Sequence, residues 1–333
     1  GTREADIIEA LEGNDSVSAG DGDDSIEGLA GADTLRGEGG SDTLRGGAGN
    51  DRFYPGPGSD VIDGGEQRRV PWAATTADDY DVIDYVGTAG VRVNLSARTA
   101  SVTGESGTDT FSGIEEIDGA ANATDTVTGR LAPTIADAAK GTTFYLWLRG
   151  GNDTVTQDPA GAQQSWADGI QVGYHWSATP IQVTYTGGVA TVAYGASGSQ
   201  QAAGTDTLTN VGWIGDSAYN DTFNLTGATL NHLGYVSDPR SGNSWHVLLM
   251  GRGGADTVVG NGLTTLHYGA VTTTATGTTG LSIDLKQGTA SLAGLSTNGV
   301  ALGTLTFSGV RGIVGTRYDD TMTGGVASAD ALE

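Results

Sequence analysis

The chain has 333 residues, of which 40 are acidic and 16 basic, so its formal net charge is −24, and it contains no cysteine. A field of that sign repels phosphate backbones, which excludes nucleic acid as a partner. The absence of cysteine excludes a disulfide framework, and no apolar run reaches the length of a membrane-spanning helix. Glycine is abundant, with 56 residues, and the paucity of helix formers predicts an all-β protein.

The first elements in chain order are copies of a nine-residue frame, Gly-x-Asp-x-apolar, which runs through residues 13–62 without an insertion or deletion. The fullest copy, at residues 46–54, reads Gly-Gly-Ala-Gly-Asn-Asp-Arg-Phe-Tyr. Glycine accepts the tight turns that residues with a Cβ resist, and the apolar residue is typical of a short strand that points one side chain inward. The six aspartates of the frame are Asp15, Asp24, Asp33, Asp42, Asp51 and Asp60.

This frame resembles the nonapeptide G-G-x-G-x-D-x-U-x of the RTX (hemolysin-type) calcium-binding proteins. The resemblance implies a parallel β-roll in which two nonapeptides form one coil and calcium lies between successive coils. Ligands then pair eighteen residues apart, in one ladder of Asp24, Asp42 and Asp60 and another of Asp15, Asp33 and Asp51. Isolated aspartates often only cap turns, but ordinary turns do not recur at a fixed period.

Calcium takes six to eight oxygen ligands, so carboxylates need support from backbone carbonyls. The candidate ligands are therefore the six aspartates together with turn residues of the frame, namely Gly22, Gly31, Gly37, Gly39, Gly40, Gly46, Ala48, Gly49 and Gly58. Asp153 and Asp256 stand in Gly-Gly-x-Asp-Thr-Val contexts and are further candidates for calcium. A capping role is the alternative for both.

Charge is concentrated in the frame. Residues 1–66 hold 16 acidic and 4 basic residues, a net of −12, which is half the charge of the chain in one fifth of its length. Such a segment repels itself and has few apolar residues, so we expect it to be disordered without a cation and to fold when calcium binds.

Beyond residue 66 a longer repeat replaces the nonapeptide. Residues 107–114, 204–211 and 303–310 are similar to one another, and alternating apolar runs at 91–95, 181–185 and 281–285 predict strands with one buried face. We therefore predict a roll at 1–66 and β modules at 67–130, 131–227 and 228–326. The predicted fold is a right-handed parallel β-roll or β-solenoid that grades into larger coils; separate β-sandwiches are the alternative. The only helical candidate is residues 135–140.

The remaining aspartates of the modules are followed by threonine and an apolar residue but lack most of the frame's glycines, which favours turn capping over calcium. Leu305 stands at the third equivalent of Asp109 and shows that this position can lack a carboxylate. The residues concerned are Asp109, Asp125, Asp206, Asp221 and Asp320.

No catalytic residue is predicted. The four histidines stand in no metalloprotease pattern, and the chain has no nucleophile elbow and no phosphate loop. Alternation in residues 144–148 puts Tyr145 and Trp147 on the face opposite Phe144, and Tyr174-His175-Trp176 lies near Asp168. These aromatics either bind a polysaccharide or cell-surface glycan, as in a lyase, an epimerase or a binding module, or fill wide coils.

The sequence thus favours a calcium-binding structural or adhesive segment, such as part of an adhesin or surface layer, that folds after export. The RTX resemblance implies type I secretion and an extracellular or cell-surface bacterial protein. No signal peptide is recognisable, and we expect the chain to be a piece of a longer protein. The carbohydrate-active solenoid is the alternative function.

Overall fold

The computed structural model describes residues 1–65, 80–129, 144–157, 170–197, 202–211, 213–228, 246–249, 253–268, 279–291, 296–297, 300–301, 303–316 and 318–324. Every regular element among them is a β-strand, which confirms the predicted class. The helical candidate at 135–140 lies outside the described residues. The chain divides into two compact units, residues 1–153 and 154–333. The predicted limits of the roll and the three modules stay a prediction.

The first unit begins with seven short strands, of which the first precedes the frame and the other six follow its six copies: β1 (Ile7–Glu9), β2 (Ser16–Asp21), β3 (Ser25–Ala30), β4 (Thr34–Gly39), β5 (Thr43–Ala48), β6 (Arg52–Tyr54) and β7 (Val61–Gly65). Each strand pairs in parallel with the next but one. Ser16 lies opposite Thr34, and Ser25 lies opposite Thr43, an offset of eighteen residues. Two nonapeptides therefore make one coil, as predicted for a parallel β-roll.

The apolar residue of the frame forms the core of the roll. Ile26, Leu35, Leu44 and Phe53 have no exposed surface, and Ile62 is also buried. Their neighbours in the strands are more exposed, because successive side chains of a strand point to opposite faces. One buried apolar side chain per nine residues is a thin hydrophobic core, so contacts between coils must supply much of the stability of this segment.

The coils lengthen after β7. The strands are β8 (Val82–Asp84), β9 (Val91–Asn94), β10 (Thr99–Val102), β11 (Asp109–Ser112), β12 (Glu116–Asp118), β13 (Thr126–Gly129) and β14 (Phe144–Trp147). Parallel partners now lie at irregular offsets: Arg52 faces Val82, Val82 faces Glu116, and Glu116 faces Tyr145. The parallel stack thus continues beyond the nonapeptides in larger coils.

The long repeat inserts a reversed strand into this stack. β11 pairs in parallel with β7, and β9 pairs in parallel with β13, while β10 lies antiparallel to both β9 and β11. The order of neighbouring strands in the sheet is therefore β7, β11, β10, β9 and β13. The chain leaves a gap of two strands between β7 and β9, and then fills it with β10, which runs antiparallel, and β11, which is again parallel to β7. Antiparallel neighbours are a departure from the all-parallel expectation, because short turns can join only antiparallel strands.

The second unit repeats this plan. Its strands are β15 (Thr154–Gln157), β16 (Ile170–Val172), β17 (Ile181–Gly187), β18 (Val189–Tyr194), β19 (Gly204–Thr209), β20 (Trp213–Gly215), β21 (Thr222–Ala228), β22 (His246–Leu249), β23 (Ala255–His267), β24 (Thr279–Asp284), β25 (Thr289–Ser291), β26 (Ser296–Thr297), β27 (Val300–Ala301), β28 (Thr304–Val314) and β29 (Asp319–Thr323). β18 lies antiparallel between β17 and β19, and β25 lies antiparallel between β24 and β28. The three alternating runs found in the sequence are the first strands of these insertions, β9, β17 and β24.

A buried tyrosine accompanies each insertion, and its partner differs in the third. The Tyr85 hydroxyl donates to Asp109 Oδ2 at 2.7 Å, and the Tyr174 hydroxyl donates to Asp206 Oδ2 at 2.8 Å. Tyr268 is also buried, but among the described residues its hydroxyl has no hydrogen-bond partner. The aspartate of the first two repeats is Leu305 in the third, which accounts for the unsatisfied hydroxyl.

We expect Tyr268→Phe to leave the free energy of unfolding unchanged or to raise it by about 1 kcal/mol, because a buried hydroxyl without a partner is destabilising. Tyr85→Phe and Tyr174→Phe are the matched controls. Each should lower the free energy of unfolding by about 1.5–3 kcal/mol, because each removes a hydrogen bond to a charged carboxylate. Urea denaturation in saturating calcium measures all three. Equal losses in the three variants would show that Tyr268 has a partner.

Candidate calcium sites

The turns of the roll depend on left-handed backbone at the glycine two positions before each aspartate. The φ angles at Gly13, Gly22, Gly31, Gly40, Gly49 and Gly58 are +132°, +136°, +140°, +136°, +128° and +158°. Space is also closed there: a Cβ on Gly31 would lie 1.6 Å from the carbonyl oxygen of Gly13, one coil earlier. The frame needs glycine at this position both for its conformation and for the approach of the next coil.

A second position of the frame, four residues before each aspartate, is also left-handed. Glycine occupies it at Gly20, Gly47 and Gly56, but Leu11, Leu29 and Glu38 stand there with φ of 77°, 77° and 71°. Each of these three costs roughly 1–2 kcal/mol in backbone strain. Strain of this kind persists only where the surrounding structure imposes it, and here the coil imposes the same turn at every repeat.

The aspartates form the two predicted ladders. In each ladder one carboxylate oxygen, Oδ1, accepts a hydrogen bond from the backbone N–H of the aspartate one coil earlier. Asp24 donates to Asp42, Asp42 to Asp60, Asp15 to Asp33 and Asp33 to Asp51, with N–O distances of 2.8 Å in all four. Asp24 itself accepts from Asp6 at 2.7 Å. The eighteen-residue pairing of carboxylates is therefore present.

The second oxygen of these carboxylates points into a buried space. Oδ2 of Asp15, Asp24, Asp33, Asp42 and Asp60 is inaccessible to solvent and accepts no hydrogen bond from the residues that the structure describes. Asp33 and Asp42 are 1 % exposed. A buried carboxylate oxygen without a donor is costly, and a cation is the group that satisfies it.

A backbone carbonyl converges on the same space. The position that a Cβ of Gly28 would take is 2.3 Å from Asp33 Oδ2 and 2.6 Å from the Gly46 oxygen. The Cβ position of Gly37 is likewise 2.3 Å from Asp42 Oδ2 and 2.6 Å from the Pro55 oxygen. Each cradle thus brings a carboxylate and a carbonyl oxygen together and would be filled by any larger side chain. Both donor types suit calcium.

The predicted carbonyl ligands all lie in these turns. Gly39 and Ala48 each accept a hydrogen bond from the coil before, from Gly22 at 2.7 Å and Gly31 at 2.9 Å. Four more carbonyl oxygens lie against a glycine of the following coil, at 1.6–2.1 Å from the point where a Cβ on that glycine would be. They belong to Gly22, Gly31, Gly40 and Gly58. The remaining predicted residues are Gly37 and Gly46, which line the cradles, and Gly49, which covers the Gly31 carbonyl.

In the described part of the chain no three carboxylate or imidazole side chains gather at one point. This is expected of such turns, because each site has one carboxylate per coil and draws its other oxygens from the backbone. The residues therefore fit calcium, a hard cation with flexible coordination, better than a metal that needs several nitrogen or sulfur side chains.

Burial changes the acidity of the ladder in the absence of metal. Desolvation raises the pKa of Asp42, and desolvation together with the charges of Asp109 and Asp42 raises the pKa of Asp60 to about 8. An unfolded aspartate has a pKa of about 3.9, so between that value and about 8 the folded chain binds protons that the unfolded chain does not.

We therefore expect the calcium-free protein to lose stability as the pH rises from about 4 to about 8, because the unfolded state ionises first. In saturating calcium the dependence should reverse, since protons then compete with the ion for the carboxylates. Melting temperatures at pH 5 and pH 8, with chelator and with calcium, measure both slopes. A metal-free protein that is more stable at pH 8 than at pH 5 would contradict this assignment.

The later aspartates fall into three groups. In the first, protein donors satisfy both oxygens. Asp125 accepts from the N–H groups of Val91 and Ala120, at 2.7 and 2.9 Å. Asp221 and Asp320 do the same in the second unit: each bonds one N–H of an earlier strand and one N–H four residues before it. These three cap turns, as the sequence favoured, and leave no oxygen directed at a cation.

Asp109 and Asp206 are satisfied by tyrosine. Asp109 accepts from the Asp60 N–H at 3.1 Å in addition to Tyr85, and Asp206 accepts from Tyr194 at 2.9 Å in addition to Tyr174. Both carboxylates are buried. They anchor aromatic side chains in the core of the larger coils.

Asp153 and Asp256 belong to the ladder type. Asp153 Oδ1 accepts from the Asp125 N–H at 2.7 Å, and Asp256 Oδ1 accepts from the Asp221 N–H at 2.8 Å. Desolvation raises the pKa of Asp256 to about 8. Their hydrogen bonds match those of the roll, and their roles as calcium ligands stay a prediction.

Sequence reasoning missed two ladder members, Asp81 and Glu115. The Asp51 N–H donates to Asp81 Oδ1 at 2.9 Å, and the Asp81 N–H donates to Glu115 Oε2 at 2.8 Å. Both side chains are buried. The offsets are 30 and 34 residues, so a search for a fixed period could not find them. The Asp-Val-Ile at 81–83, which repeats the aspartate and apolar positions of the frame, was the available signal for Asp81.

A partly buried ion-pair network, in which the Arg52 and Arg149 side chains are 35 % and 32 % exposed, was also missed. Asp118 has no exposed surface. Its Oδ2 accepts hydrogen bonds from Arg52 Nη1 at 2.9 Å and from Arg149 Nη2 at 3.1 Å. Arg52 Nη1 also lies 2.7 Å from Asp84 Oδ2. Nearby, the Tyr80 hydroxyl donates to Glu116, and burial raises the pKa of that glutamate to about 7. The network joins the last nonapeptide strands to the first large coils.

The aromatic residues divide between core and surface. Phe144, Leu146 and Leu148 are buried and Tyr145 and Trp147 are half-buried, as the alternation predicted. Tyr174 is fully buried and its hydroxyl is bound to Asp206, so it belongs to the core. Asp168 lies outside the described residues. His175 and Trp176 are half-buried, but the Trp176 indole N–H donates to the Gly173 carbonyl at 3.0 Å, and the ring packs against Tyr174 and Tyr194. The glycan hypothesis is therefore carried forward on Tyr145 and Trp147.

Comparison with known families agrees with the geometry of the roll. Residues 1–35 and 36–68 match the model of the RTX calcium-binding nonapeptide repeat, with four copies. The match covers about one fifth of the chain, and no curated protein matches the sequence. The N-terminal segment is therefore an RTX repeat array, which binds several calcium ions. No helix in the described part of the chain is long and apolar enough to cross a membrane.

Proposed function

We propose that this chain is a calcium-dependent structural or adhesive segment of a secreted RTX protein, and that the six frame aspartates are its calcium ligands. The observation that carries the proposal is the buried Oδ2 atom of Asp15, Asp24, Asp33, Asp42 and Asp60, which accepts no hydrogen bond from the described part of the chain. Turn carbonyls at Gly22, Gly31, Gly37, Gly39, Gly40, Gly46, Ala48, Gly49 and Gly58 complete the sites, and Asp153 and Asp256 extend them. A segment of this kind works by folding and holding neighbouring parts of the protein in place.

Charge supports the coupling between calcium and folding. The roll has a net charge of −12 over residues 1–66, and its carboxylates lie one above another in buried ladders. Without cations these charges oppose the approach of successive coils. Extracellular calcium modules bind in the range of about 0.1–1 mM, so a chain of this design folds where calcium is abundant, outside the cell.

Counting bound calcium by isothermal titration tests the ligand assignment. Asp42→Asn keeps an Oδ1 acceptor for the Asp24 N–H but removes the charge, and we expect it to lose at least one bound ion. Asp125→Asn is the matched control: it also alters a buried aspartate, but one that caps a turn and whose oxygens are both engaged by protein donors, so the number of ions should not change. Equal stoichiometry in Asp42→Asn and wild type would refute the assignment of Asp42.

A carbohydrate-active role is the second candidate, and it rests on the half-buried Tyr145 and Trp147 on the outer face of β14. Aromatic rings in such a position can stack on sugars. Binding of oligosaccharides that is abolished by Trp147→Ala and retained by Trp176→Ala would support this role. No binding by wild type would leave only the structural one.

A further inference from the structure

We infer that a further calcium site lies beyond the last nonapeptide, built from Asp81 and the carbonyl of Gly113 beside Gly64. It rests on the proposed calcium function of the roll and extends it into the first large coil. No matched repeat reaches Asp81, since the family match ends at residue 68.

The first argument is the repetition of the cradle. The Cβ position of Gly64 is 2.4 Å from Asp81 Oδ2 and 2.1 Å from the Gly113 oxygen. At both Gly28 and Gly37 the Cβ position is 2.3 Å from the aspartate Oδ2 and 2.6 Å from the carbonyl oxygen. A carboxylate and a carbonyl oxygen thus meet beside a glycine in the same way, although the coil is longer.

The second argument is the position of Asp81 in its ladder. Its Oδ1 accepts from Asp51, as Asp51 accepts from Asp33, so its carboxylate has the orientation of the frame aspartates. Gly65, next to the cradle, has φ of +130°, which keeps the left-handed turn of the frame. The turn conformation and the carboxylate orientation therefore both continue past the end of the nonapeptides.

The third argument is the contrast with the other ladder. In that ladder the Asp60 N–H donates to Asp109 Oδ1, and Asp109 Oδ2 accepts a hydrogen bond from the Tyr85 hydroxyl at 2.7 Å. That ladder ends in a protein donor instead of a cradle. The ladder of Asp51 continues to Asp81, which is 1 % exposed, and then to Glu115, whose longer carboxylate occupies the next rung. A buried carboxylate oxygen and a carbonyl oxygen are both acceptors, so neither can satisfy the other. A divalent cation between them stabilises both.

Calcium stoichiometry of the full chain tests the inference. Asp81→Asn should bind one ion fewer than wild type, whereas Asp109→Asn, which changes the equivalent rung of the other ladder, should bind the same number. If Asp81→Asn and wild type bind equal numbers of ions, the inference is wrong. If wild type binds no calcium, the proposed function itself is wrong, so the two failures are distinguishable.

Gly64→Ala provides a second variant that keeps every charge and only fills the cradle. We expect it to lose the same single ion, while Gly87→Ala, whose added Cβ meets no atom within 4 Å, should retain it. Native mass spectrometry counts the ions on the folded chain in each variant. This pair decides the question if Asp81→Asn does not fold, and an unchanged count in Gly64→Ala would overturn the inference.

Discussion

The double substitution Arg52→Met and Arg149→Met is expected to destabilise the first unit by about 3–5 kcal/mol, because it leaves the fully buried Asp118 carboxylate without a cation. Adding Asp118→Leu should restore much of that loss, since an apolar residue of similar volume can replace a buried ion pair. Urea denaturation at saturating calcium gives the free energies.

The control for this experiment is Arg45→Met. Arg45 also pairs with a carboxylate, Glu27 at 3.0 Å, but the two side chains are 51 % and 39 % exposed. Exposed pairs contribute about 0–1 kcal/mol, so this variant should be near wild type. A loss in the double variant no larger than in Arg45→Met would mean that the Asp118 network does not stabilise the junction between roll and large coils.

The second large effect is expected at Gly31. Alanine there would have to adopt a φ of +140° and would place its Cβ 1.6 Å from the Gly13 oxygen, so successive coils must separate. Gly13→Ala is the matched control: its φ is +132°, but the nearest atom to the added Cβ is 3.8 Å away. The control isolates backbone strain, about 1–3 kcal/mol, and Gly31→Ala should lose roughly 1–3 kcal/mol more through overpacking.

The same variants separate steric from metal effects. Because the coils at Gly31 carry adjacent ligands of one ladder, we expect Gly31→Ala also to weaken calcium binding, whereas Gly13→Ala should bind nearly as well as wild type. Thermal melting in calcium and a calcium titration measure the two properties. Equal destabilisation by the two alanines would show that the coils are not in the close contact described.

The roll could be predicted almost completely from the sequence, because a strict nine-residue period determines which side chain of each strand is buried. The inward Ile26 and Leu44 follow from that period, whereas the register of eighteen residues and the two ladders follow from the resemblance to the RTX nonapeptide. The unsatisfied Oδ2 atoms could not be predicted, since capping and metal binding use the same residue type. Only the geometry separates Asp42 from Asp125.

The strands of the larger coils were predicted, but the order in which they lie in the sheet was not. An alternating strand looks the same whether its neighbour is parallel or antiparallel, so the reversed β10 between β9 and β11 was not foreseen. The Asp118 network joins residues that are 31 and 66 positions away along the chain, and no local pattern marks them. Asp81 was missed for a related reason, since its ladder neighbour Asp51 is 30 residues away.

The most direct test of the calcium account is circular dichroism and thermal melting of the full chain during a calcium titration from a chelated state. At pH 8 we expect the β signal of the roll to be missing in chelator, to appear cooperatively with a midpoint of about 0.1–1 mM calcium, and to be lost again when chelator is added back. A spectrum and a melting temperature that are the same with and without calcium would contradict both the ladders as metal sites and the coupling of metal binding to folding.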